Sequence, residues 1–144
     1  KSTTKEQKVE AIRMITHLVG DMHQPLHVGN GEDRGGNNVK IKWFYDDSNL
    51  HRIWDSGMID EKKYSFSELA EVVNYPVNSD RNANFNTDLD VWVEEAVALR
   101  PQIYNIGDKG FLSYEYMYEN WDTVKIQLHK AGVRLAQILN DIYG

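Results

Sequence analysis

The sequence has no cysteine, so disulfides and thiolate metal ligands are excluded, and the redox character of its compartment cannot be read from it. It has no Asn-x-Ser/Thr acceptor, which leaves a glycosylated origin unsupported. No apolar run approaches the roughly 20 residues of a membrane span. Positive charge is scarce: 16 Lys and Arg stand against 22 Asp and Glu, a net charge of −6. A domain that grips nucleic acid through a broad basic face would look different. Any phosphate-rich substrate would need its counter-charge from elsewhere, such as metal ions. Proline occurs three times, and there is no repeat or low-complexity tract. What is present suffices for a buried core: 41% hydrophobic and 11% aromatic residues in a 144-residue chain, one domain's worth.

Local chemistry predicts a mainly helical fold with one short extended or hairpin element. Thr3-x-x-Glu6 and Thr4-x-x-Gln7 are capping-box patterns that start a helix near Lys5. Val9, Ile12, Ile15, Val19 and Met22 continue it as an apolar stripe until Pro25. Gly29 to Asn38 is a Gly/Asn loop, and Val39 to Phe44 alternates like a strand. Asp46-Asp-Ser-Asn49 offers N-caps for a short helix over Leu50 to Ile59, made irregular by Gly57. Ser65-x-x-Glu68 caps a helix with Phe66, Leu69, Ala70 and Val73 as its apolar face, and Tyr75 to Asn86 is a loop. Thr87-x-x-Asp90 opens the next helix, which Pro101 splits, and a last helix runs from about Tyr114 to Ile142.

Four of the five histidines fall between positions 17 and 51. His17/Asp21 and His51/Asp55 are both i, i+4 pairs, so each pair shares one helix face. His27 lies just beyond the first helix. One such pair is usually an ordinary surface hydrogen bond. Two pairs and an intervening His favour a divalent ion, and zinc accepts such N and O ligands at about 2.0–2.2 Å. On a helical wheel His17 and Asp21 point away from the apolar stripe, so the first helix is occupied on both faces. His23 reads as a helix-end hydrogen bond, His129 as a solvated helix residue and Arg34 as an exposed loop residue.

The stretch His17-Leu-Val-Gly-Asp-Met-His-Gln-Pro-Leu-His27, then Asp33-Arg-Gly-Gly-Asn37, then Asn49-Leu-His-Arg-Ile-Trp-Asp55 resembles the zinc-dependent, single-strand-specific S1/P1 nucleases, which share a helical fold with bacterial zinc phospholipase C. Trp92 to Leu99 and Leu128 to Ala136 resemble later helices of that family. The resemblance implies up to three zinc ions in an intact relative. His27, His51 and Asp55 match the ligands of one separate ion. His17 and Asp21 match part of a close pair, with Asp21 as the bridging carboxylate on which the activated water depends. Gly35 and Asn37 match a nucleobase pocket. The family's N-terminal portion, with further ligands, has no counterpart here, so residues 1–144 are expected to be the C-terminal part of such a domain with one complete ion site. The implied chemistry is hydrolysis of single-stranded DNA and RNA to 5′-nucleotides, with 3′-nucleotidase activity, weak in this chain alone. A zinc phospholipase C and a non-catalytic zinc-binding fragment are the alternatives. A secreted or periplasmic location follows from the resemblance, although this chain shows no signal peptide. Self-association through the face left uncovered on the first helix is also expected.

Overall fold

The computed structural model describes residues 3–74 and 86–144. Helix α1 spans Lys5–His23, capped by Thr4, whose hydroxyl accepts from Gln7 N–H (3.2 Å) while Gln7 Oε1 accepts from Thr4 N–H (2.9 Å). Both halves of the capping box are thus made. The helix stops at His23 because Gln24 must be extended ahead of Pro25. Pro25–His27 forms a 3₁₀ turn.

Strand β1 (Lys40–Trp43) pairs antiparallel with β2 (Asp46–Asn49), and β3 (Phe111–Leu112) adds to β1 in parallel, giving the order β2-β1-β3. Asp46–Asn49 is therefore a strand before it is a cap; only Asn49 caps, accepting from Arg52 N–H at 2.9 Å. The hairpin turns in two residues, with Phe44 at φ 54°. The expected short helix is α2 (Leu50–Arg52), a π-helical turn (Ile53–Gly57) and α3 (Met58–Lys62) in succession, its irregularity falling at Gly57 as expected.

Helix α4 (Phe66–Asn74) carries the Ser65/Glu68 capping box but buries none of its residues, and Phe66 is 90% exposed. Of the expected apolar face, Leu69 and Val73 are half-buried where α4 meets α7, and Phe66 and Ala70 are exposed. The loop expected at Tyr75 to Asn86 lies, except for Asn86, outside them. Helix α5 (Leu89–Ala98) is capped by Asp88, one residue past the expected Thr87, and α6 (Arg100–Ile103) restarts at Pro101. Helix α7 (Tyr114–Tyr143) runs along α1.

The core gathers Leu26, Ile41, Leu50, Ile53, Trp54, Met58, Ile103, Leu112, Tyr116 and Val124, joining the sheet, the α2–α3 segment and α7. Trp54 donates to Tyr116 OH (2.8 Å), which donates to Ile103 O (2.7 Å), so the residue preceding Asp55 is fixed in the core. Of the α1 stripe only Val19 is fully buried; Val9 is 40% exposed. His129 departs from expectation: it is half-buried, and its Nδ1 is sealed from solvent. No helix among the described residues is long and apolar enough to cross a membrane.

Candidate metal centre

Three local devices bring His27, His51 and Asp55 together. Gln24 closes α1 with its N–H on Asp21 O (3.1 Å), and its side-chain carbonyl caps the 3₁₀ turn by accepting from Leu26 N–H. That reversal turns His27 back toward α1. The Asn49 cap starts α2 and puts His51 in its first turn. The π turn then carries Asp55 to the same side, a widening that recurs at functional sites.

His27 Nε2 lies 3.1 Å from Asp55 Oδ1, and His51 Nε2 lies 3.1 Å from Asp55 Oδ2. One ligand atom from each of the three residues falls within 4.8 Å of the others. The two imidazoles stack with centroids 5.1 Å apart. On the other side, His27 Nδ1 is 3.5 Å from Asp21 Oδ1, and His17 Nε2 is 3.4 Å from Asp21 Oδ2. All five predicted ligands thus form one chain of contacts, in which Asp21 stands between His17 and His27. His17 is 66% exposed at its side chain, against 19% for His51.

The donor chemistry fits a cation. His51 Nδ1 is 2.7 Å from the Gly35 carbonyl, which can only accept, so the ring proton sits on Nδ1. Nε2, the nitrogen left over, then faces a carboxylate oxygen. A nitrogen and a carboxylate oxygen at that separation are bridged either by a proton or by a shared cation, and the second His27 nitrogen on the same carboxylate favours the cation. Ligand atoms bonded at about 2.0–2.1 Å to one tetrahedral ion stand roughly 3.3 Å apart, close to the spacings seen here. Among the described residues no Lys or Arg pairs with Asp21 or Asp55; their polar side-chain partners are imidazoles and Gln24, whose amide donates to Asp55 Oδ1 at 2.7 Å.

Gly35 is buried under this group, and its place is sterically dictated. Its φ is +62°, and a Cβ there would stand 2.3 Å from Leu26 O. A cleft of about 680 Å³ opens beside it, lined by Leu18, Asp21, His27, Arg34, Gly35 and His51 among others. Asn37 donates its side-chain amide to Arg34 O (2.9 Å), and Arg34 itself is exposed.

The family model described as S1/P1 Nuclease matches residues 1–144. The chain belongs to the S1/P1 nuclease family. It is 31% identical over 160 residues to "Endonuclease 1" of Arabidopsis thaliana, covering 99% of this chain and 52% of that protein. It is 28% identical to "Endonuclease 2" of the same plant (99% of this chain, 55% of that protein) and 26% identical to "Nuclease P1" of Penicillium citrinum (99% and 61%). The chain spans about half the length of the curated relatives it matches.

Around this candidate metal centre of an S1/P1 family chain the structure adds residues that sequence reasoning missed. Gln24 had no signal, because its partner Asp55 is 31 residues away. Asp33 opens the Asp33-Arg-Gly-Gly-Asn37 loop, and its role comes from the groups that surround it in space. Its Oδ2 accepts from Tyr104 OH (2.7 Å) and its Oδ1 from Gly36 N–H (2.9 Å). Burial works against the Asp33 charge, but hydrogen bonds from Gly36, Tyr104, Asn30 and its own backbone outweigh it and hold the carboxyl below its usual range. Burial and the Asp33 carboxylate push the Tyr104 phenol up to about 12, so it remains a donor. Arg100 donates to both Val28 O and Gly29 O at 2.6 Å.

Proposed function

We propose that this chain carries the His27/His51/Asp55 zinc site, and part of a second centre at His17 and Asp21, of an enzyme that hydrolyses single-stranded DNA and RNA to 5′-nucleotides, with 3′-nucleotidase activity alongside. The observation that carries the reading is the convergence of two imidazole nitrogens on the two oxygens of Asp55, in a chain of a nuclease family. Zinc bound there supplies Lewis-acid neutralisation of phosphoryl oxygens and acidifies a coordinated water. The residues of the chain hold and orient. His51 presents Nε2 because Gly35 takes Nδ1–H, and Gln24 restrains Asp55. Asp21 has one oxygen beside His17, its expected partner in the second centre, and the other beside His27 of the first, so the two centres are neighbours. In this proposal Gly35 and Asn37 border the position of a nucleobase; a single strand offers one without the few kcal/mol that unstacking a duplex costs.

The cluster around Asp21 has few fixed ligands in this chain. Adjacent divalent ions repel and need several to hold them. Activity of the chain alone is therefore expected to be about 10³-fold or more below that of an intact relative. The test supplies excess zinc and measures nucleotide release from single-stranded DNA beside Asp21→Asn. Trace turnover in both supports the reading; robust turnover abolished by Asp21→Asn would show that further ligands are dispensable or come from another chain, and would overturn the expectation of weak activity. A secreted or periplasmic setting belongs to the same proposal. So does self-association through α1, where Met14 is 54% and Leu18 52% exposed beside His17. Light scattering that gives a monomer over a wide concentration range contradicts that part.

A second reading has its own observation. A cavity of about 220 Å³ next to Asp21 and Asp55 is walled by Pro25, Trp54, Ile59, Val124, Leu128 and Ala131. An apolar wall beside a metal group suits the tail side of a phospholipid phosphodiester. Hydrolysis of a short-chain phosphatidylcholine in preference to single-stranded DNA would establish it.

A further inference from the structure

The Asp33 carboxylate, the Tyr104 phenol and the peptide joining Gly35 to Gly36 form one continuous arrangement that ends on His51. The N–H of that peptide belongs to Gly36 and donates to Asp33 Oδ1 at 2.9 Å. Its carbonyl belongs to Gly35 and accepts from His51 Nδ1 at 2.7 Å. One peptide plane is therefore held from both ends, by a carboxylate on one side and an imidazole on the other. Such a plane needs an unusual backbone. Gly35 has φ +62° and Gly36 φ +81°, and a Cβ on Gly36 would lie 3.3 Å from His51 N and 3.2 Å from Leu26 Cδ1. Two glycines in succession meet that need without strain.

The loop bearing this peptide is fastened from α6, about 70 residues on in sequence. Tyr104 donates to the second oxygen of Asp33, and Arg100 holds the carbonyls of Val28 and Gly29. Gly29 in turn packs against Gly35, since a Cβ on Gly29 would stand 3.0 Å from Gly35 Cα. An anionic acceptor on a peptide N–H polarises the peptide and strengthens its carbonyl as an acceptor. A histidine's free nitrogen is set by the hydrogen bond its other nitrogen makes.

We propose that Asp33, with Tyr104 behind it, is a positioning residue for His51: through the Gly35–Gly36 peptide it holds the His51 ring in the Nδ1–H tautomer with Nε2 turned to the metal group. This deepens the zinc reading above and rests on it for its consequence, though not for the tautomer. Neither side chain reaches the ligand atoms; both act through one peptide bond.

The test uses the full chain, labelled with ¹⁵N at histidine, as wild type, Asp33→Asn and Tyr104→Phe. In metal-stripped protein the His51 nitrogen shifts report its tautomer, and His23, whose ring is held between Val19 O and Arg134 and touches neither Asp33 nor the Gly35–Gly36 peptide, is the internal control. Zinc affinity is then measured by chelator competition. The expected result is a single Nδ1–H tautomer for wild-type His51 and a mixed population in both variants, with His23 unchanged. Zinc binding should weaken about tenfold in Asp33→Asn and less in Tyr104→Phe. If stripping unfolds the chain, the zinc-loaded form is used and solvent exchange of the His51 Nδ1 proton is read, which should quicken in both variants. An unchanged His51 ring in both variants overturns the proposal while leaving zinc binding intact. A wild type that takes up no zinc, yet shows the tautomer change, removes the zinc reading and supports the positioning role.

Discussion

Between α1, α5 and α7, His23 donates from Nδ1 to Val19 O (2.7 Å) and accepts at Nε2 from Arg134 (2.8 Å). At the mouth of the cleft, His51 also donates from Nδ1 to a backbone carbonyl, but its Nε2 meets a carboxylate. Both rings are fixed in the same tautomer by the same kind of contact. What separates them is the far nitrogen. Arg134 is fully buried and binds Glu95 through both Nη atoms (2.9 and 3.0 Å), with Lys130 3.1 Å from the same carboxylate. The His23 lone pair is thereby satisfied inside the protein. Among the described residues the far nitrogen of His51 meets no donor, and it lies where an ion can reach it. The spacing of histidines in sequence cannot tell these fates apart, because the partner of Nε2 comes from elsewhere in the fold.

The largest expected effect breaks the His23 side. Arg134→Met leaves His23 Nε2 without a donor and Glu95 with Lys130 alone. Removing one member of a buried ionic group typically costs about 3–5 kcal/mol. Because Glu95 stays partly solvated, a loss of about 3 kcal/mol in denaturant unfolding is expected, and a loss below about 1 kcal/mol contradicts the assignment.

Next in size is Gly35→Ala, which touches the His51 side. The added Cβ meets Leu26 O at 2.3 Å in a left-handed conformation, so the loop must move. A stability loss of about 2 kcal/mol is expected, within the range for enforced backbone strain. Zinc affinity should fall with it; thermal melts and chelator competition read the two effects separately.

The pH dependence sharpens the contrast further. Burial lowers the pKa of His23 from 6.5; the Val19 hydrogen bond opposes this and the Arg134 charge adds to it, with Glu95 and Lys130 also facing the ring. The folded state therefore binds fewer protons than the unfolded state once the pH falls below about 6.5. Stability from this group is present above that pH and is lost as pH falls toward the lowered folded value. The slope contributed is at most about 1.4 kcal/mol per pH unit. Replacing His23 by Gln should flatten this part of the profile for metal-free protein, and an unchanged slope would show that His23 does not set it.

The smallest effect is expected at α4. Phe66→Ala should change stability by no more than about 0.5 kcal/mol, because the ring is 90% exposed. A cost above 1 kcal/mol would mean that the ring is covered in solution.

Helix starts were legible where a reciprocal capping box is made, as at Thr4/Gln7 and Ser65/Glu68, and off by one at α5, where Asp88 rather than Thr87 is the cap. The hairpin's second strand was not. Its turn, Phe44-Tyr45, lacks the glycine or asparagine that usually marks one, and Asp46-Asp-Ser-Asn49 has the composition of a cap. Strand β3 exists only through its parallel pairing with β1, a contact that local pattern does not carry. Likewise the candidate ligands share short spacings and could be found, whereas Gln24, Asp33, Tyr104 and Arg134 gain their roles from partners 31 to 111 residues away. The apolar stripe of α1 was legible from its period: Val19 is buried and Ile12, Ile15 and Met22 are half-buried where α7 runs along the helix, while Val9 near its start stays exposed.

Zinc content after equilibrium dialysis, compared between His51→Ala and His23→Gln, tests the central claim most directly. The account predicts that His51→Ala loses the ion held by His27, His51 and Asp55 while metal-free stability changes by about 1 kcal/mol or less. His23→Gln should lose stability yet retain that ion. Equal zinc content in wild type and His51→Ala, or loss of the ion from a folded His23→Gln, would contradict it.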